Sequence, residues 1–159
     1  MHSNIYQISK QSIAVEDYVD PCMFYDNCNE YADYIGSAIN NTGDRQGAIA
    51  WLAESLKDIF DRDGETFIYK GMDKFLKDWT DQIKKMANEL ADGVYDWSKF
   101  GRIENVLNCS HMSIDYRFYI VNWNEHCAGT IADLVDFIKA NKLKEGDRLY
   151  IGNIIDFHF

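Results

Sequence analysis

The chain has 159 residues, 16 Lys and Arg against 26 Asp and Glu, and a formal net charge of −10. Its isoelectric point near 4.7 argues against direct binding to nucleic-acid phosphate and against docking by charge on an anionic membrane, because both need a basic face. The 47% hydrophobic and 14% aromatic content, with a single proline, argues against disorder, and no apolar run approaches the length of a membrane-spanning helix.

One domain over residues 1–159 is the expectation, since a chain of roughly 150 residues buries about 70% of the surface its unfolded form exposes. Asn4–Ser9 alternates Ile5 and Gln7 against Tyr6 and Ile8 and reads as a strand, with a second strand over Ser12–Val15. Pro21 breaks the chain after Asp20. A helix is expected from Asp26 or Asn27 to about Ile39, with Tyr31, Tyr34, Ile35 and Ala38 on one stripe, followed by the turn cluster Asn40–Gly43.

The next helix is expected from Asp44, as its cap, to about Phe60, with Ile49, Leu52, Leu56, Ile59 and Phe60 inward and Gly64 ending it. Thr66–Tyr69 reads as a short strand. Met72, Phe75, Leu76, Trp79, Ile83, Met86 and Leu90 define a third amphipathic helix, with Asp73–Lys77 and Asp81–Lys85 as supporting pairs on its outer face.

A short helix near Arg102–Leu107 is followed by a strand of about ten residues from Met112 to Val121, by period-two alternation. Thr130 and Asp133 form a capping-box pattern before a helix to Ala140. A last strand is expected over Arg148–Phe159, with Leu149, Ile151, Ile155 and Phe157 in register. The final strand–helix–strand unit permits a parallel pair, or an antiparallel arrangement if the two strands are not neighbours. These elements predict an α+β fold, a small sheet of N- and C-terminal strands packed against three to four helices.

Motifs for chemistry are sparse. Cys22 and Cys28 are spaced C-x5-C, outside the spacing of a zinc knuckle, while Cys109, His111, His126 and Cys127 form two further Cys/His pairs. A small Cys/His-dependent enzyme or metal-binding domain is therefore an alternative reading. Asp61–Glu65 begins like a calcium loop, but Thr66 and Met72 stand where glycine and a bidentate Glu are required. A helix-end turn is the better expectation there. There is no nucleophile elbow, and Gly43–Gly47 lacks the lysine of a phosphate loop. Neither a catalytic residue, a metal nor a cofactor is expected.

The charge itself is uneven. Residues 11–44 contain no Lys or Arg and carry −7, against −3 over the rest of the chain. Glu16, Asp17, Asp20, Asp26, Glu30 and Asp33 there alternate with Tyr18 and Tyr25. Carboxylates meet Arg and Lys by charge-assisted hydrogen bonds, and tyrosines supply apolar contact area. The expected partner is thus a basic protein surface, above all the groove of a nucleic-acid-binding protein. In size and charge alone the chain is similar to phage inhibitors of restriction or CRISPR nucleases and to immunity proteins of nuclease toxins. Two other readings stay open. The window is a solvated loop and helix face with its tyrosines turned to the core, or the chain oligomerises through an exposed aromatic face. Four sparse cysteines, and a start without a basic and then apolar leader, give the expectation of a reduced, cytoplasmic protein.

Overall fold

The C-terminal strand, which carries Leu149, Ile151, Ile154, Ile155 and Phe157, is the one around which the others assemble. A computed structural model describes residues 2–25, 32–91, 116–124 and 127–158. In chain order the elements are β1 (His2–Ser9), the 3-10 turns Val15–Asp17 and Pro21–Phe24, β2 (Tyr34–Ala38), α1 (Thr42–Ser55), β3 (Phe60–Asp63), β4 (Thr66–Tyr69), α2 (Asp73–Ala91), β5 (Arg117–Ile120), α3 (Ile131–Ala140) and β6 (Arg148–His158). The sheet is mixed and six-stranded, ordered β3-β4-β6-β1-β5, with β2 also paired to β6. The fold is α+β.

β1 runs antiparallel along nearly the whole of β6, from His2 opposite His158 to Ser9 opposite Tyr150. The other edge of β6 is shared, β4 taking Arg148–Tyr150 and β2 taking Ile155–His158. β5 is parallel to β1. The two C-terminal strands are therefore not neighbours: β1 lies between them, which selects the antiparallel arrangement.

Both sheet faces are covered. Tyr6, Ile8, Phe118, Ile120, Leu149, Ile151 and Ile154 pack with Ile49, Leu52 and Leu56 of α1, Phe75 of α2, and Leu134, Val135 and Ile138 of α3. The Tyr6 hydroxyl donates to Ala48 O (2.9 Å), and burial pushes its pKa well above the ordinary range. On the opposite face Ile5, Ile35, Ile155 and Phe157 pack with Val19, Phe24 and Ala128. Residues 11–25 thus form a strap across that face, in place of a helical layer.

A bulge makes this division. Tyr6 pairs with Ile154 but Ile8 pairs with Ile151, so β6 has one residue more than β1 at Gly152–Asn153. The expected common register of Leu149, Ile151, Ile155 and Phe157 is corrected: the first two face the helices and the last two face the strap. Opposite the bulge, Gln7 Oε1 accepts from Asn153 N–H (2.9 Å) and Val19 N–H (3.0 Å), and its Nε2 donates to Asp17 O (3.0 Å). Asn153 Nδ2 donates to Val19 O (2.8 Å). Two buried amides thereby satisfy the main chain of Val19 as a neighbouring strand would. A Cβ on Gly152 would lie 2.6 Å from Gln7 Oε1 and 2.7 Å from Ile13 Cδ1, so only glycine admits this contact.

Several sequence expectations are corrected. No strand forms over Ser12–Val15, because the strap is held by side chains and Val15 projects into solvent. The described part of the expected 26–39 helix is instead β2, drawn to the open edge of β6, with Tyr34 outward and Ile35 inward. Residues 26–31, the 102–107 helix and the first half of the Met112–Val121 strand lie outside the described residues. α1 is capped by Asn41, whose Oδ1 accepts from Gly43 N–H (2.8 Å), and it ends at Ser55.

Ile59 and Phe60 are buried, but through a turn and then β3. Asp61–Glu65 belongs to the β3–β4 hairpin, where Gly64 takes a φ of 63° at the first turn residue. The α2 ion pairs also differ from expectation: Lys77 meets Asp81 (2.7 Å), and Lys74 reaches Asp58 (2.5 Å) and Asp78 (3.6 Å). The Thr130 capping box forms as expected, with Thr130 N–H donating to Asp133 Oδ2 (2.6 Å).

Gln7→Ala leaves the buried N–H groups of Val19 and Asn153 without their acceptor. At about 1–3 kcal/mol for each orphaned donor, urea unfolding of this variant is expected to show a loss of about 2–5 kcal/mol. A loss within about 0.5 kcal/mol, the range of ordinary surface substitutions, would contradict the anchoring role.

Candidate functional site

The strap carries the first described part of the acidic window, residues 11–25. Val19 and Phe24 point inward, and Phe24 meets Tyr119 edge to face at 5.7 Å. With these anchors down, Glu16, Asp17 and Asp20 are left exposed on the outer side. Asp20 also caps the Pro21–Phe24 turn, its Oδ1 accepting from Cys22 N–H (2.8 Å). That bond, reinforced by one from the Cys22 thiol, holds the Asp20 carboxyl below its ordinary pKa. The same carboxylate raises the thiol of Cys22, and the charge of Cys22 raises the phenol of Tyr25.

The two predicted tyrosine anchors differ. Tyr25 is 52% exposed at the end of the strap. Tyr18 is half-buried, and its ring lies over the Arg45 guanidinium, with 5.7 Å from Cζ to the ring centroid. Asp33 stands apart beside β2, exposed, 3.8 Å from His158 Nδ1. Asp26 and Glu30 lie outside the described residues. The strap therefore brings together Glu16, Asp17, Tyr18, Asp20 and Tyr25, while Asp33 lies apart from it at the start of β2.

Charge pairing separates this surface from the β3–β4 hairpin. Around the hairpin and α2, Asp61 pairs with Lys70, Asp63 with Arg148, Asp58 with Lys74, Asp81 with Lys77, and Glu54 with Lys57. Arg45, the first cation after the window, is taken by Glu65, with Nη2 to Oε2 at 2.8 Å and Nε to Oε1 at 3.1 Å. Glu16, Asp17 and Asp20 meet no Lys or Arg among the described residues. Exposed pairs contribute only about 0–1 kcal/mol each to stability, so the contrast matters for the external field. The hairpin acids Asp61, Asp63 and Glu65 are thus paired within the fold, while Glu16, Asp17 and Asp20 on the strap are not.

Of the alternative Cys/His set, Cys109, His111 and His126 lie outside the described residues. Cys22 and Cys127 are free and exposed. Among the described residues no group of three or more His, Cys, Asp or Glu is placed to hold a metal ion. No described helix is long and apolar enough to cross a membrane. The large exposed apolar side chains sit on separate elements: Val15 and Tyr25 on the strap, Tyr34 on β2, Trp51 on α1 and Trp123 after β5. Comparison with known proteins adds no relative: no protein-family model, curated protein or solved structure matches the chain.

Sequence reasoning missed Gln7, Asn153 and Arg45. Two of these left a local signal, a Gln among the apolar residues of β1 and an Asn beside Gly within an apolar run. Arg45 left none, because its link to Glu65 joins α1 to the hairpin turn.

Asp20→Asn removes the carboxylate whose hydrogen bond, and secondarily its charge, raises the Cys22 thiol pKa. At pH 8 the variant is expected to alkylate faster at Cys22 with iodoacetamide, read by peptide mass spectrometry, with Cys127 unchanged as internal reference. Equal rates at Cys22 would show that Asp20 does not control the thiol.

Proposed function

We propose that this chain is a non-enzymatic binding protein whose acidic strap surface occupies the basic nucleic-acid site of a nuclease or another nucleic-acid-binding effector. The observation that supports it is the unpaired charge of Glu16, Asp17 and Asp20 on a segment locked from behind by Gln7 and Asn153. Carboxylates already held in place lose little freedom on binding, and a field of one sign steers a basic partner toward them. Tyr25 supplies apolar area beside the charges, while Tyr18 is retained by Arg45 and contributes its outer edge. Asp26, Glu30 and Asp33 extend the same acidic sequence. On this reading the chain acts in the cytoplasm, as inhibitors carried by phages and immunity proteins do, and the exposed free thiols of Cys22 and Cys127 suit a reducing compartment.

The test is affinity capture with the wild-type chain and with Glu16→Lys/Asp17→Lys, followed by competition between the captured protein and its nucleic acid. Expected are a basic nucleic-acid-binding partner, displacement of its nucleic acid by the wild-type chain, and an association rate at low salt lowered by the double reversal about tenfold or more. Capture indifferent to the reversal, or a partner that keeps its nucleic acid, would refute the proposal.

A further inference from the structure

A cleft opens at the carboxyl ends of the parallel strands β1 and β5. It encloses about 660 Å³. Ser9 to Ile13 form one wall, the Val121–Trp123 turn another, and Phe137 and Asn141 at the end of α3 a third. The carboxyl ends of neighbouring parallel strands are where open α/β sheets place their ligands, because the chain diverges there into separate loops. The volume lies within the usual range for small-molecule sites.

The walls are held in shape. Ile120 N–H donates to Asn124 Oδ1 (2.9 Å), and Trp123 and Asn124 N–H both return to Ile120 O (3.0 Å each). Asn122 occupies the left-handed region at φ 63°, which a tight reversal demands. The Trp123 ring is fixed by Phe137, edge to face at 5.8 Å, and remains 40% exposed. On the other wall Gln11 N–H donates to Ser9 Oγ (3.0 Å).

The lining also carries hydrogen-bonding capacity that the fold does not use. Asn141 Nδ2 donates to Phe137 O (3.0 Å), while its Oδ1 takes no bond among the described residues. The side chains of Ser12 and Asn122 and the indole N–H of Trp123 are likewise unused there. Lys10 and Asp17 both line the cleft and neither enters an ion pair among the described residues. An anion would meet Asp17, and a cation would meet Lys10. A neutral ligand meets neither penalty, and it can donate to the carboxylate and accept from the ammonium. A pyranose has this chemistry: hydroxyls that both donate and accept, and a C–H face that covers an aromatic ring.

We infer that the cleft between the β1 and β5 loops is a binding site for a neutral sugar ring, stacked on Trp123 and hydrogen-bonded by Asp17, Asn122 and Asn141. The site shares Asp17 with the acidic surface, but it rests on Trp123 and Asn141, which lie outside the acidic window, so it stands or falls separately from the protein-binding role.

The test is titration of the full chain with glucose, galactose, mannose and N-acetylglucosamine up to tens of millimolar, with adenosine as the neutral ring control. The readout is the Trp123 indole signal in ¹H–¹⁵N spectra, assigned with Trp123→Phe. Expected is a saturable shift with at least one sugar, weakened fivefold or more in Asn141→Ala. That variant keeps the Trp123–Phe137 contact and reports should Trp123→Phe fold poorly. Glu16→Lys/Asp20→Asn, which alters only the acidic surface, is expected to leave sugar binding unchanged. No saturable shift with any of the four sugars, a shift with adenosine alone, or a shift indifferent to Asn141→Ala would overturn the assignment.

Discussion

The contact between Gln7 and the bulge of β6 is the constraint on which the rest of the molecule depends. A six-stranded sheet with apolar residues on both faces must cover both, and this chain places its described helices on only one. Among the described residues the second face is covered by the strap, whose two short 3-10 turns leave the main chain of Val19 between them without a helical or strand partner. Gln7 and Asn153 resolve that difficulty, presenting acceptor and donor where a strand would present carbonyl and amide. Their burial is tolerable because the amide oxygen of Gln7 accepts two bonds and its nitrogen donates a third.

The same bulge sorts the side chains of β6. Without the bulge at Gly152–Asn153, unbroken pleating of β6 would put Leu149, Ile151, Ile155 and Phe157 on one face and Ile154 opposite. With it, Leu149, Ile151 and Ile154 complete the helical core, while Ile155 and Phe157 receive Val19 and Phe24 of the strap. Packing and polar bonding thus act at one place. The strap is positioned by apolar anchors whose register the bulge creates, and by main-chain bonds that the bulge exposes.

The proposed function rests on what the strap then turns outward. Its apolar residues are committed to the sheet, so Glu16, Asp17 and Asp20 face solvent without an ion pair to Lys or Arg among the described residues, whereas the hairpin acids Asp61, Asp63 and Glu65 are paired within the fold. At physiological salt the screening length is about 8 Å, so clustered unpaired carboxylates act over the distance of a partner's surface and dispersed paired ones do not. Asp17 joins this surface to the cleft at the ends of β1 and β5, where the aromatic wall of Trp123 makes a different kind of contact available.

Local signals were readable where an element's pattern agrees with its final environment. The α2 stripe, the Thr130 capping box and the alternation of β1 and β5 all rest on neighbours within a few residues, and each appears where expected among the described residues. The acidic window was readable as well, because charge adds along a chain whatever its fold. The sequence by itself therefore determined the α+β class and the location of the excess charge. Tertiary structure alone decided that Tyr34–Ala38 is a strand, since its extended form depends on a free edge of β6 more than a hundred residues away. It likewise decided that Phe60 begins a hairpin, that Tyr18 is held by Arg45, and that Gln7 and Asn153 meet. In each case the deciding partner is remote in sequence, so the energy that selects the conformation exists only once the sheet has formed.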